Sequence, residues 1–310
     1  MQNTLKSIVV FNGRGLHSGA AVRMVVRPAP AGHGIWFKRV DVAPSDALIE
    51  ARWDNVVPSK LCTLIRNDAG VEVSTIEHIM AALAGCAIHN VVIEIDGPEV
   101  PILDGSALPF VHGFLNVGLV EQFAPLTAIR VLKTVEVTEG QAVARLEPAD
   151  LFEMDFRIDF EDAAIGHQEK RLTLTNGTFV RELSDSRTFC RQSDVDAMRA
   201  NGLALGGTME NAVVFEGDRV LSPGGLRYAD EPVRHKMLDA VGDLYLAGGP
   251  ILGRYTGIRA GHAMTNRLLR ALFADPSAWC MVDCGGKTLR KMPGMGVQRR
   301  DIPGTLPLAG

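Results

Sequence analysis

The hydrophobic period of this chain changes twice in the same order, and that repetition limits its fold more than any other feature of the sequence. Up to about residue 66 the apolar residues fall in short runs, at 8–11, 22–27, 35–39 and 61–66, with the length and β-branched content of strands. Gly13-Arg14-Gly15, Pro28-Ala29-Pro30, Gly32-His33-Gly34 and Asn67-Asp68-Ala69-Gly70 punctuate them as turns. Then Ile76, Ile79, Met80 and Leu83 take the i, i+3, i+4, i+7 spacing of an amphipathic helix ending near Gly85. A strand over 90–95 and a helix after Ser106, carrying Leu108, Val111, Leu115 and Leu119, close the first round. The second round starts past Pro125, with strands expected over 127–137, 143–146, 153–160 and 171–175. A looser stretch from 178 to 225 shows short helix and hairpin signals. A helix over 232–247, a strand over 251–259 and a helix over 262–273 follow. Pro232 suits a first helical turn and Gly248 a C-terminal cap. The order predicts an α+β protein of two similar units, 1–125 and 126–285, with a Gly- and Pro-containing tail over 286–310. The halves share little sequence, so the duplication rests on element order alone.

Composition narrows the function. A chain of 310 residues, 46% hydrophobic and 22% charged, buries a core of ordinary size. Its apolar runs, such as 91–95, fall far short of the ~20 residues that span a bilayer. No long apolar stretch follows the first charged residue, so no secretory signal is read and a cytoplasmic location is expected. Five cysteines are too few, and odd in number, for a disulfide framework. Cys280 and Cys284 have the spacing of a metal clip, but with no second Cys or His pair nearby, buried free thiols are the favoured reading. A net charge of −4 argues against general nucleic-acid binding. The tail sets Lys287, Arg290, Lys291, Arg299 and Arg300 against Asp301 alone. It is read as solvated and poorly packed, with weak peripheral contact to an anionic membrane face as the alternative. Stable membrane insertion is not expected, and a monomer is.

Chemistry concentrates in a few segments. In Arg234-His-Lys-Met-Leu-Asp-Ala-Val-Gly-Asp243 the side chains of His235, Asp239 and Asp243 recur every four residues, on one helical face. Val233, Met237, Val241 and Leu244 make a separate apolar stripe. An imidazole and a carboxylate one turn apart can share a divalent cation; an exposed polar face with a His–Asp hydrogen bond fits the spacing equally. Ser74-Thr-Ile-Glu-His78 is ambiguous too. Ser74 and Glu77 match a capping box, whereas an adjacent Glu-His pair can divide proton transfer and metal binding between its members. His262 opens a helix whose apolar face is Met264, Leu268, Ala271 and Leu272, a place for a capping or packing histidine as much as a catalyst. Together the segments offer three possible ligands, a base and a further histidine. No G-x-S-x-G elbow, P-loop or H-E-x-x-H motif is present. Gly13-Arg14-Gly15 is not followed by a helix, which speaks against a dinucleotide site.

These residues resemble a known family. Gly15-Leu-His-Ser-Gly19, Thr75-Ile-Glu-His-Ile-Met-Ala-Ala-Leu83, Asp104-Gly-Ser-Ala107, Ser186-Arg-Thr-Phe189, Arg234 to Asp243 and Gly261-His262 are similar, in order and spacing, to the successive motifs of the UDP-3-O-acyl-N-acetylglucosamine deacetylases of lipid A biosynthesis in Gram-negative bacteria. The likeness runs to about Phe273. It implies two units, each a sheet packed on paired helices, with the active site between them. It implies a zinc ion (Zn2+) held by His78, His235 and Asp239, and Glu77 as the base for the attacking water. Thr188 would hydrogen-bond the developing oxyanion. His262 would act as a cation, oriented by Asp243, that stabilises the oxyanion and protonates the leaving amine. Lys236, Phe189, Phe160 and Cys62 would meet a substrate made of UDP and an acylated amino sugar, Phe160 near the uracil. An insertion, here about 189–214, would build an apolar passage for the acyl chain. Arg191 and Gln192 depart from the more apolar stretch of better-known members, and Gln141-Ala142-Val143 stands where a basic residue is expected after Glu139-Gly140.

Overall fold

The computed structural model describes residues 1–59 and 61–304. Among them are seven α-helices: α1 (Glu77–Gly85), α2 (Leu108–Val117), α3 (Thr178–Glu182), α4 (Gln192–Ala200), α5 (Glu231–Tyr245), α6 (His262–Ala274) and α7 (Gly286–Leu289). The fold is α+β. None of these helices is long and apolar enough to cross a membrane.

Two large sheets carry the helices. The first runs in the order Val9–Arg14, Ala21–Pro28, Val91–Ile95, Ile35–Arg39 and Leu48–Glu50. Alternation sets its inner face: Val9 and Phe11, then Ile35 and Phe37, then Val91, Ile93 and Ile95 point into the core. In the second sheet the long strand Ile251–Ile258 is the hub. It pairs with Thr127–Val131, Ala142–Glu147 and Phe152–Asp159, and Val135–Glu139, Trp279–Asp283 and His167–Thr173 complete the seven strands. Phe152, Met154, Phe156 and Ile158 alternate inward, whereas the edge strand His167–Thr173 keeps polar residues on its open flank.

The strand expected over 127–137 is two strands. Thr127–Val131 pairs with the hub and with Trp279–Asp283, and Val135–Glu139 turns away into a hairpin with Ala142–Glu147. Leu119 lies outside α2, because Gly118 takes φ +80 and releases the chain. It begins Leu119–Gln122, which pairs with Gln2–Leu5 and ties the first residues of the chain to the link between the sheets.

The contact that positions the site is α1 against α5. A Cβ on Gly242 would lie 2.0 Å from the Glu77 carbonyl oxygen, so only glycine lets α5 rest on the first turn of α1. All nine residues of α1 are buried, and thirteen of the fifteen in α5.

The tail corrects the expectation of a solvated segment. Met292 and Ile302 are almost fully buried. Asn176 donates from Nδ2 to the carbonyls of Arg290 and Met295 and accepts from Gly294 N. Arg181 pairs with Asp301 at 2.7 Å. The segment docks because Met292 and Met295 complete an apolar cluster with Leu126, Ala128, Leu252 and Cys284. Residues 305–310 of the expected tail lie outside the described residues. All five cysteines are free thiols.

Candidate active site

The polar face of α5 is not exposed. His235, Asp239 and Asp243 are all nearly inaccessible, because α1 covers them. Buried charge at this density needs partners, and each residue has a distinct set. His235 Nδ1 faces the Ser186 carbonyl at 2.9 Å, which leaves Nε2 free to turn inward. That Nε2 stands 3.3 Å from Asp239 Oδ1, and His78 Nε2, arriving from α1, stands 3.6 Å from the same oxygen. The two imidazoles meet edge to face with centroids 5.0 Å apart. One donor atom each from His78, His235 and Asp239 falls within 4.8 Å of the others.

A divalent ion fits this donor set. Asp239 Oδ1 is buried and has no hydrogen-bond partner, an arrangement that costs stability unless something positive sits beside it. Burial drives the His235 pKa down to about 4, so the ring is neutral and presents a lone pair. Burial works against the Asp239 carboxylate, but its basic surroundings, with the Lys236 ammonium 2.6 Å from Oδ2, hold it well below the ordinary range. Two imidazoles and one carboxylate, with space on the open side, are what a mononuclear zinc-type centre requires.

Glu77 does not cap α1. Ser74 is still paired in the strand Glu72–Ser74, and its hydroxyl donates to the Pro98 carbonyl. Thr75 then turns the chain at φ +59, and the helix begins at Glu77 with no side-chain cap. The freed carboxylate points inward. Oε2 accepts the Thr63 amide at 3.0 Å, and Oε1 lies 3.9 Å from His262 Nε2. Burial raises the Glu77 pKa, with His262 and His78 opposing. His262 likewise makes no cap at the start of α6. Its Nδ1 meets Asp243 Oδ2 at 2.8 Å. Burial disfavours its cation, but the Asp243 and Glu77 carboxylates outweigh burial and lift the pKa to about 9.

These groups open onto a cavity of about 520 Å³. Thr188, Phe189, Phe160 and Lys236 are on its wall. Thr188 is clamped by its backbone, donating to the Gly105 carbonyl and accepting from Val213 N. Phe189 lies between Phe160, at 5.6 Å, and His235, at 6.3 Å between centroids. The far part of the cavity is formed by Phe189–Arg191, α4 and the loop leading to Val213–Glu216. Cys62 is off this wall; its thiol lies 3.5 Å from Ser59 Oγ, and burial, then the nearby Glu77 charge, push its pKa up to about 11. Sequence reasoning missed Thr63 and the Ser186 carbonyl. A threonine in a strand-like run signals nothing, and a backbone acceptor carries no residue identity.

Fold and donor set define a class: an α+β protein with a buried His-His-Asp group able to hold a metal ion. Comparison with known sequences supplies the particular family. The model of the family described as LpxC, UDP-3-O-acyl N-acetylglycosamine deacetylase, matches residues 2–274, and this chain belongs to that family. Similar proteins named UDP-3-O-acyl-N-acetylglucosamine deacetylase include one from Phenylobacterium zucineum, 51% identical over 90% of this chain and 95% of its own length. Others come from Stenotrophomonas maltophilia strain K279a, at 49% over 90% and 92%, and Shewanella frigidimarina, at 47% over 91% and 92%.

Proposed function

We propose that this chain hydrolyses the N-acetyl group of UDP-3-O-(3-hydroxyacyl)-N-acetylglucosamine, releasing acetate, as a step of lipid A biosynthesis. The observation that carries the reading is the meeting of His78, His235 and Asp239 at one point, with Glu77 and His262 on its rim. The relatives' names supply the substrate. Zinc, held by those three side chains, would supply Lewis-acid polarisation and make water acidic enough to react at neutral pH.

The chain's own residues do the rest. Glu77, its basicity raised by burial, takes the proton of the water as the new C–O bond forms. Thr188 donates a hydrogen bond to the oxyanion. His262, held cationic by Asp243, stabilises the same charge and then gives its proton to the sugar nitrogen as the C–N bond breaks. The products are acetate and a free amine. Lys236 meets the polar part of the substrate, Phe160 the uracil and Phe189 the neck of the cavity. Cys62 packs behind the base. The insertion over 189–214 takes the acyl chain, and the Arg191–Asp194 pair at 2.8 Å gives its far end a polar lining. We also read the chain as two units, 1–125 and 126–285, working as a cytoplasmic monomer with at most weak membrane contact through the basic tail.

Metal analysis beside an acetate-release assay tests this. One zinc per chain and acetate from the UDP-linked substrate are expected, with much slower release from the same sugar lacking its acyl chain. Protein that holds the metal and binds substrate without releasing acetate would refute the activity. Equal rates on both sugars would refute the substrate.

A further inference from the structure

We propose that Thr63 is a positioning residue that ties the base to the acid across the seam between α1 and α5. It is buried, just ahead of the strand Leu64–Arg66, and each of its polar groups has one partner in the site. Its amide donates to Glu77 Oε2 at 3.0 Å. Its hydroxyl donates to Asp243 Oδ1 at 2.5 Å. Its carbonyl accepts the Ile76 amide at 3.4 Å, which anchors the segment to the start of α1.

Asp243 thus has one oxygen on Thr63 and the other on His262 Nδ1, at 2.8 Å. A carboxylate held at both ends cannot rotate, so the plane of the His262 ring is set by a residue that touches neither the cavity nor the ion cradle. The β-branched threonine side chain is stiff about χ1, which suits the task. The same residue pins one oxygen of Glu77 and leaves Oε1 facing the site. Proton acceptor and proton donor come from different parts of the chain, and Thr63 holds both in one frame.

This role rests on the deacetylase reading, and the test separates the two. Thr63→Val removes the hydroxyl at nearly constant shape and keeps the amide bond to Glu77, so it isolates the Asp243 arm. Measured on zinc-loaded full-length protein, its kcat should fall about ten- to a hundred-fold, the range for stranding a buried charged acceptor. KM should stay within about two-fold and metal content at one equivalent, because substrate and ion contacts are untouched. Thr63→Ser should regain most of the lost kcat. Thr63→Ala gives the same comparison should the valine variant not fold. A valine or alanine variant with wild-type kcat, a loss seen only in KM, a loss of bound metal, or a serine variant no better than valine would overturn the role while the activity stands. Wild-type protein that releases no acetate would overturn both.

Discussion

Helices α1 and α5 supply the two sides of the site, and they do so by different physics. On α5 the repeat does the work: His235, Asp239 and Asp243 share a face because 3.6 residues make a turn, and the backbone fixes their spacing. On α1, Glu77 and His78 are neighbours in sequence and point to different partners. What aims them is outside the helix, in the left-handed turn at Thr75, the Thr63 amide and the absent side chain of Gly242. Periodicity builds one half of the centre, and tertiary contact builds the other.

Substitutions separate the two contributions, and the largest loss should come where both halves meet. Asp239→Ala removes the oxygen that His78 and His235 both face. Bound metal should fall well below one equivalent, and turnover should drop by more than the ~10⁴-fold ceiling usual for an acid–base group; elemental analysis with acetate release checks both. His262→Ala comes next. It should keep its metal and lose about 10²- to 10⁴-fold in kcat. Metal lost from that variant, with full activity per ion retained, would move His262 into the cradle.

The third test is by pH. The His262 pKa lies at about 9, above its ordinary 6.5. The raised value adds stability that is complete below 6.5 and disappears as pH rises through about 9. The rate should fall over the same alkaline limb as the cation is lost. In Asp243→Asn the limb should move to lower pH, and melting temperature should become flatter between the two values; an unmoved limb would separate His262 from the acid step. The smallest effect belongs to Ser74→Ala. A true capping box would lose about 0.5–2 kcal/mol. Here the Ser74 hydroxyl donates to the Pro98 carbonyl and not to the helix, so a denaturant midpoint close to wild type is expected.

What the sequence showed follows the same division. The face of α5 was legible because helical spacing is local, and the strands of both sheets were legible where apolar residues alternate. The burial of that face was not, since a polar stripe is ordinarily wet and only the arrival of α1 makes it dry. Ser74 and Glu77 matched a cap because the pattern ignores φ at Thr75. The tail read as solvated because Gly, Pro and basic residues dominate it, and the apolar niche that receives Met292 belongs to strands distant in sequence. The family resemblance pointed to His78, His235 and Asp239, which the structure brings together, and Thr63 escaped because no spacing marks it.

The cradle takes His78 from early in the chain and His235 and Asp239 from late in it. During synthesis, therefore, the first half leaves the ribosome with Glu77 and His78 in place and their counterparts on α5 still unmade. The His-His-Asp group is complete only with α5 resting on α1. A truncated product ending before residue 235 would lack two of the three members, whatever structure its sheets had reached.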